Sequence, residues 1–447
     1  MSIARMVKNL DYTLLFTAAG IILFGLVVIG SATLEFTNES FTQLKNLNFI
    51  SKLAHLDFEF VLKQIQWVLI GLFLMAVMIY LPYEDIVKHS RLLYILNLLI
   101  LAAVLIKGQT AYGAQRWIQL GPVLFQPSEF SKLLMILTFA GFLVKKGGNL
   151  NRFRDLIPCF LYVGVPMLLI LAQPDLGTSM VFVAVMFAML FFADAKPLLL
   201  LKIIGAGTVL VACLISVHAY LHDTDRALEK QLAALEQEKK QVMAANAANS
   251  PAVEELEKKY NNLLKQSEKA HKRHEKFHKY TLKEYQLTRL FIFLNPQSDL
   301  LGDGYQLWQS LISIGSGGLA GKGLLGGTQT HFTFLPVRHT DFIFSVVGEE
   351  FGFLGALVLL GLFLLIIYRG IRIALEARDF LGSLLAVGVV SMFAFHVFVN
   401  IGMTSGIMPV TGIPLPLFSY GGSNMIMNLM ALGILLNVYV RRRKILF

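Results

Sequence analysis

The chain has 447 residues, 55% of them hydrophobic and only 15% charged, with a mean hydropathy of +0.63. A soluble domain carries roughly 25% charged residues, so most of this surface needs lipid as its solvent and a purely soluble protein is excluded. The net charge of +10 would suit nucleic acid in a soluble chain, but membrane proteins hold Lys and Arg at the cytoplasmic surface, and nucleic acid is set aside.

Met1 to Leu10 is short and fairly polar, and the apolar run after it is too long for a cleavable signal. That run is read as the first of ten apolar stretches approaching the ~20 residues a span needs. They are 12–33, 61–81, 92–107, 130–145, 157–172, 177–193, 197–218, 342–367, 381–403 and 423–440. Basic residues in the short connections set the orientation. Arg5, Lys8, Lys88, Arg91, Lys145, Lys146, Arg152, Arg154, Lys196, Arg369, Arg372, Arg378 and Arg441 to Lys444 fall on one side, taken as the cytoplasm. Both termini then lie inside and 219–341 lies outside. The two cysteines, Cys159 and Cys213, sit in apolar runs and read as buried small hydrophobes. The fold class is all-α. A polytopic membrane protein of ten transmembrane helices is expected, with a large outer loop of re-entrant segments and a helical-hairpin insert. Its parts are 1–222 (spans one to seven), 223–290 (charged hairpin), 291–341 (re-entrant loop) and 342–447 (spans eight to ten).

In 223–290, Leu228, Leu232, Leu235 and Val242 keep helical spacing. Asn246 to Pro251 breaks it, and Val253, Leu256, Tyr260 and Leu263 resume it. This predicts a helical hairpin with an apolar seam, reading as a solvated insert or as a docking arm for an outer partner. His271, His274 and His278 share one helix face beside Glu275 and offer a possible metal site. Lys272, Arg273, Lys276 and Lys279 crowd the same turns, so a solvated basic face is expected instead.

Residues 291–341 are rich in glycine and poor in charge. Broken or re-entrant helices are expected there, and such backbone survives at membrane depth only under cover of protein or a water-filled cavity. Gly321-Lys322 imitates a phosphate loop, but Ser316 stands where that loop needs glycine and Gly323 follows the lysine. Asp341 opens the eighth span. It is either a helix cap or a functional acid in the company of Lys322, Arg338, His339, Glu349 and Glu350. Glu349, eight residues on, would share its helix face. Ionisable groups inside spans are costly and default to function. Other polar groups collect at the predicted outer ends, where turn chemistry and helix-end satisfaction compete with function. They are Arg116, Gln126 to Glu129, Lys132, Gln173 to Asp175, Gln306, Gln309, Ser419 and Tyr420, and together they suggest a cavity opening outward.

Six ordered motifs carry a resemblance. They are Gln-Pro-Ser-Glu at 126–129, Gln-Pro-Asp-Leu-Gly-Thr at 173–178, Gly-Thr-Gln-Thr at 327–330, His-Thr-Asp-Phe-Ile-Phe at 339–344, Gly-Glu-Glu at 348–350 and Pro-Leu-Phe-Ser-Tyr-Gly-Gly-Ser at 416–423. Together they resemble the SEDS family (RodA, FtsW, SpoVE) over essentially all of the chain except 223–290, a helical insert longer than the family's usual loop. The 315–323 run and Asn400-Ile-Gly-Met are more similar to the elongation branch than to the division branch. The resemblance implies ten spans in the inner membrane. It implies polymerisation of lipid II by a glycosyltransferase, commonly with a divalent cation (Mg2+ or Mn2+), beside a class B penicillin-binding protein and other elongation-complex membrane proteins. It also implies that Asp341 is the catalytic residue.

On that basis Asp341 is expected to act as general base, with Lys322, Arg116 or Lys132 meeting the pyrophosphate. Glu129, Glu349 and Glu350 would orient these cations or ligate the metal, and His339 would position Asp341. Gln173, Asp175, Gln306, Gln309, Gln329, Ser419 and Tyr420 complete the expected substrate site. The rival classes are a lipid II flippase, although no convincing internal repeat is seen, a division-type glycosyltransferase, and a non-catalytic scaffold.

Overall fold

The computed structural model describes residues 3–35, 47–111, 114–121, 123–147, 150–245, 251–280, 289, 292–293, 304–332 and 334–442. In chain order the helices are α1 (Ile3–Lys8), α2 (Tyr12–Ala32), α3 (Phe49–Leu53), α4 (Phe58–Tyr80), α5 (Tyr83–Lys88) and α6 (Ser90–Lys107). Strands β1 (Gln109–Ala111), β2 (Ala114–Leu120) and β3 (Val123–Phe125) follow. Then come α7 (Pro127–Lys146), α8 (Phe153–Ala172), α9 (Leu176–Phe192), α10 (Pro197–Ala245) and α11 (Pro251–Tyr280). The chain closes with α12 (Gly304–Gly317), α13 (Thr328–His331), α14 (Ile343–Leu375), α15 (Phe380–Thr404) and α16 (Gly422–Val440).

Each expected apolar stretch falls on a helix. Eight helices are long and apolar enough to cross a membrane by length and composition, and α6 and α9 are shorter apolar helices. The protein is thus a multi-pass, helical membrane protein. Sequence reading missed the antiparallel sheet β1-β2-β3, whose register pairs Gln109 with Trp117 and Ile118 with Phe125. Two of its strands have three residues each, too few for alternation to show. Cys159 is buried as expected. Cys213 is exposed, because the apolar part of α10 has little packed against it.

The chain divides into two compact units, Met1–Leu200 with Ile292–Phe447, and Leu201–Phe291. In the second, the arms of α10 and α11 run antiparallel. Lys239 bonds Glu257 at 2.9 Å and lies 5.9 Å from the centre of the Tyr260 ring. His274 departs from the solvated face expected for it. Its Nδ1 lies 2.8 Å from Asp225 and its Nε2 3.3 Å from His218. His271 is exposed, and the side chain of His278 lies outside the described residues.

In the first unit, α4 packs along α16, and α14 packs against α2, α12 and α15. The element that shapes this unit is a break in α14 at Gly352 (φ 63°, ψ −161°). A broken helix frees backbone groups, and burying them unpaired would cost about 1–3 kcal/mol each. Here four of them are met by the glycine-rich run that follows α12. Lys322 N donates to Glu349 O (3.0 Å) and Gly323 N to Glu350 O (2.8 Å). Phe353 N donates to Gly318 O (2.9 Å) and Leu354 N to Leu319 O (3.1 Å). The run therefore inserts into a membrane helix, and the backbones come too close for side chains. A Cβ at Gly321 (φ +76°) would lie 2.2 Å from Glu350 O.

Gly321→Ala is expected to destabilise the fold by ~1–3 kcal/mol through overpacking, seen as a lower thermal midpoint in detergent. Gly315→Ala has open space around it and gains helix propensity, so it should leave the midpoint equal or higher.

Candidate active site

Asp341 lies in the turn before α14. The capping position of that helix is Phe342, so Asp341 stands one residue outside it and is not its cap residue. The periodicity that would set Glu349 behind Asp341 therefore does not apply, because Asp341 precedes the first helical residue. What fixes the turn is a row of donors on three successive carbonyls. Tyr420 N donates to His339 O at 3.0 Å, Ser419 Oγ to Thr340 O at 2.7 Å, and Asn400 Nδ2 to Asp341 O at 2.8 Å. Gln64, fully buried on α4, braces the donors from behind. Its amide donates to Ser419 O (3.3 Å) and accepts from Gly421 N (3.2 Å). Asp341 Oδ2 lies 3.3 Å from where a Cβ on Gly412 (φ +74°) would stand.

His339 packs with Phe60 and Tyr420 in a three-ring cluster, with centroids 5.2–5.7 Å apart. Burial lowers the pKa of His339 below the usual histidine value, and the nearby Arg338 guanidinium lowers it further. Both effects favour the neutral imidazole.

The Gln-Pro-Ser-Glu and Gln-Pro-Asp-Leu-Gly-Thr motifs meet around Asp175. Its carboxylate caps α9, accepting from Thr178 N (3.1 Å) and Thr178 Oγ1 (3.0 Å), and also receives Ser128 Oγ (3.1 Å). Arg116 on β2 donates to the carbonyls of Gln173 and Pro174 and lies 3.8 Å from Asp175. Gln173 is fully buried and donates to Leu101 O at 2.9 Å. Gln173 and Asp175, expected to contact substrate, thus hold the fold. Gln126 N donates to Ser423 Oγ at 3.1 Å, which joins this cluster to the 416–423 motif. Through Gly177, whose added Cβ would meet Thr411 O and Ile413, the same cluster borders the loop beside Asp341.

Lys132 is 1% exposed. Its ammonium bonds both Glu129 oxygens at 2.9 Å and His396 Nε2 at 2.8 Å. His396 Nδ1 lies 2.7 Å from Met392 O. A carbonyl only accepts, so Nδ1 carries the hydrogen and Nε2 accepts from Lys132. All three ammonium hydrogens are then engaged, which leaves Lys132 no donor for a phosphate.

Lys322 differs. It bonds Glu349 Oε1 at 2.7 Å and Thr328 Oγ1 at 2.9 Å, its side chain is 27% exposed, and among the described residues one ammonium hydrogen remains. Glu349 is saturated, since it also accepts from Gln329 N, Thr330 N and Thr330 Oγ1. Gln329 contributes its backbone to that bond. Glu350 accepts from Ser31 Oγ at 2.6 Å and lies 3.0 Å from His331 Nε2. Gln306 and Gln309 lie half-buried on α12, and Gln309 Oε1 is buried without a partner among the described residues. Glu349 does not fit a cation site in this arrangement, because protein donors saturate it; both Glu129 oxygens are bound by Lys132, and Glu350 Oε2 is buried without a partner among the described residues. Among the described residues no three His, Cys, Asp or Glu side chains form a metal cluster.

Asn400, Gln64 and His396 were missed as site-forming residues. The available signal was a buried polar side chain in an otherwise apolar stretch, most plainly Asn400 within Val-Phe-Val-Asn-Ile-Gly-Met.

A family model described as "Cell cycle protein" (FTSW_RODA_SPOVE) matches residues 12–249 and 276–444. Peptidoglycan glycosyltransferase MrdB of Escherichia coli (strain K12) is 35% identical over 389 residues, 85% of this chain and 86% of the relative. Peptidoglycan glycosyltransferase RodA of Treponema pallidum (strain Nichols) is 33% identical over 98% of this chain and 99% of its own. A solved chain described under "Structural coordination of polymerization and crosslinking by a peptidoglycan synthase complex" superposes with a TM-score of 0.68. It is 29% identical and covers 97% of this chain and 98% of that one.

Two outcomes are expected. A His339 pKa below its unfolded value means that the unfolded chain binds more protons as pH falls below about 6.5. The stability this group contributes is complete above that pH and is lost below it. Melting midpoints from pH 7.5 to 5 should therefore fall less steeply in His339→Gln than in the unsubstituted chain. Lys132→Met strands the Glu129 charge and should cost about 3–5 kcal/mol, while adding Glu129→Gln should recover most of that loss in the same melting assay.

Proposed function

The chain belongs to the FtsW/RodA/SpoVE family of cell cycle proteins, and from that premise we infer that it is a peptidoglycan glycosyltransferase. Its substrate is a lipid-linked disaccharide of the lipid II class, polymerised at the outer face of the cytoplasmic membrane during elongation. The observation that carries the assignment to this site is the fixing of Asp341. An acid one residue before the cap of its helix is held by donors on three successive carbonyls, which the motifs around it supply.

Glycan extension joins the acceptor sugar's 4-hydroxyl oxygen to the anomeric carbon of the donor. The hydroxyl loses its proton, and the bond from that carbon to the pyrophosphate breaks with its electron pair leaving on the phosphate. Asp341 takes the proton, a contribution of about 10²–10⁴-fold for general-base catalysis. Attack from the face opposite the leaving group inverts the anomeric centre, as in inverting carbohydrate chemistry. The departing pyrophosphate needs only charge compensation. Lys322 suits that role, having exposure and a spare ammonium hydrogen, whereas Lys132 is spent on Glu129 and His396. His339, whose pKa burial and Arg338 lower, packs its ring against Phe60 and Tyr420. The basic short connections support an outward-facing Asp341 and cytoplasmic termini. A cross-linking transpeptidase of the class B penicillin-binding type is the proposed partner, because a similar chain was solved in a complex joining polymerisation to crosslinking.

Asp341→Asn, folded in detergent and supplied with lipid II and its partner, should lower polymer formation by at least about 100-fold. Near-normal polymer would remove the assignment. Movement of labelled lipid II across vesicles without polymer would indicate a flippase instead.

A further inference from the structure

We propose that Asn400 and Ser419 are positioning residues for Asp341, setting the direction of its carboxyl through the backbone rather than touching substrate. The proposal rests on Asp341 being the acting base, as inferred above.

Asn400 lies on α15 and is fully buried. Its amide gives one hydrogen to Asp341 O at 2.8 Å and the other to Ile413 O at 2.7 Å. Its own Oδ1 is buried without a partner among the described residues. A buried amide oxygen left unpaired is costly, so the side chain is placed for its two donors. Those donors tie the backbone of Asp341 to the loop carrying Gly412, the residue whose missing Cβ leaves room beside Asp341 Oδ2. Ser419 Oγ acts one carbonyl earlier, donating to Thr340 O at 2.7 Å and accepting from Leu415 N at 2.9 Å. It too is fully buried, so it serves as a bracket instead of the substrate contact expected of it. Two adjacent peptide planes are thereby fixed, and with them the Cα–Cβ direction of Asp341. A base misplaced by about 1 Å can lose 10²-fold in rate, so the bracket governs turnover more than binding.

The test uses the full-length chain with its cross-linking partner and lipid II. Asn400→Leu keeps the size and removes both donors. Its kcat for polymerisation should fall about 10–100-fold, with KM and lipid II affinity within about two-fold and a thermal midpoint showing folded protein. Ser419→Ala removes one bond of the bracket and should lower kcat several-fold with KM unchanged. It decides the matter if Asn400→Leu does not fold. Unchanged kcat in the folded variant overturns the proposal, as does a loss confined to KM. Asp341→Asn run in parallel separates the two failures. If that variant is inactive while the bracket variants turn over normally, only the positioning role is lost. If that variant polymerises normally, the base assignment itself is lost.

Discussion

Backbone polar groups inside a bilayer have no water to turn to, and the break in α14 makes that constraint local. At Gly352 the helix gives up its ladder, and the carbonyls of Glu349 and Glu350 turn to Lys322 and Gly323. Everything near that junction follows from the pairing. It accounts for the glycines, which let two backbones approach without side chains between them. It also brings Lys322 to Glu349, and it leaves both glutamates facing inward, where hydroxyls and amides saturate Glu349 while Ser31 and His331 meet one oxygen of Glu350. Many polar residues of 315–350 first satisfy this structural demand of the membrane, while the Lys322 side chain stays partly open to solvent.

A second system of bonds, running through Gln64, Asn400, Ser419 and Tyr420, holds the turn that presents Asp341. It is separate in its partners from the first. One system closes the break in α14, and the other fixes the approach to that same helix from the loop before it. The acid thus sits between two anchorages, which would suit the proton acceptor proposed for it.

The helical spans were legible because apolar runs near the length of a bilayer are a strong signal, and 12–33 or 381–403 needed nothing more. Asp341 stood out as a candidate through its company in sequence. What escaped was pairing at long range. Nothing in Gln173 or Asp175 announces that one bonds Leu101 O and the other caps α9. Both looked like substrate contacts because polar residues at helix ends read the same whether they face a ligand or a neighbouring backbone. Asn400 was hidden the other way, as one amide in an apolar helix whose partner lies 59 residues earlier. The sheet at 109–125 was invisible because its strands are shorter than the period that would reveal them.

The Lys132–Glu129 pair bears on how the chain enters the membrane. The two residues are three apart on one helix, so their charges cancel before any tertiary neighbour arrives. The part of α7 ahead of Lys145 can therefore partition into lipid as a nearly neutral stretch during synthesis, despite α7 being the least hydropathic of the eight spans. His396 comes 264 residues later and finishes a site whose electrostatic cost was already met within a single turn of the nascent chain.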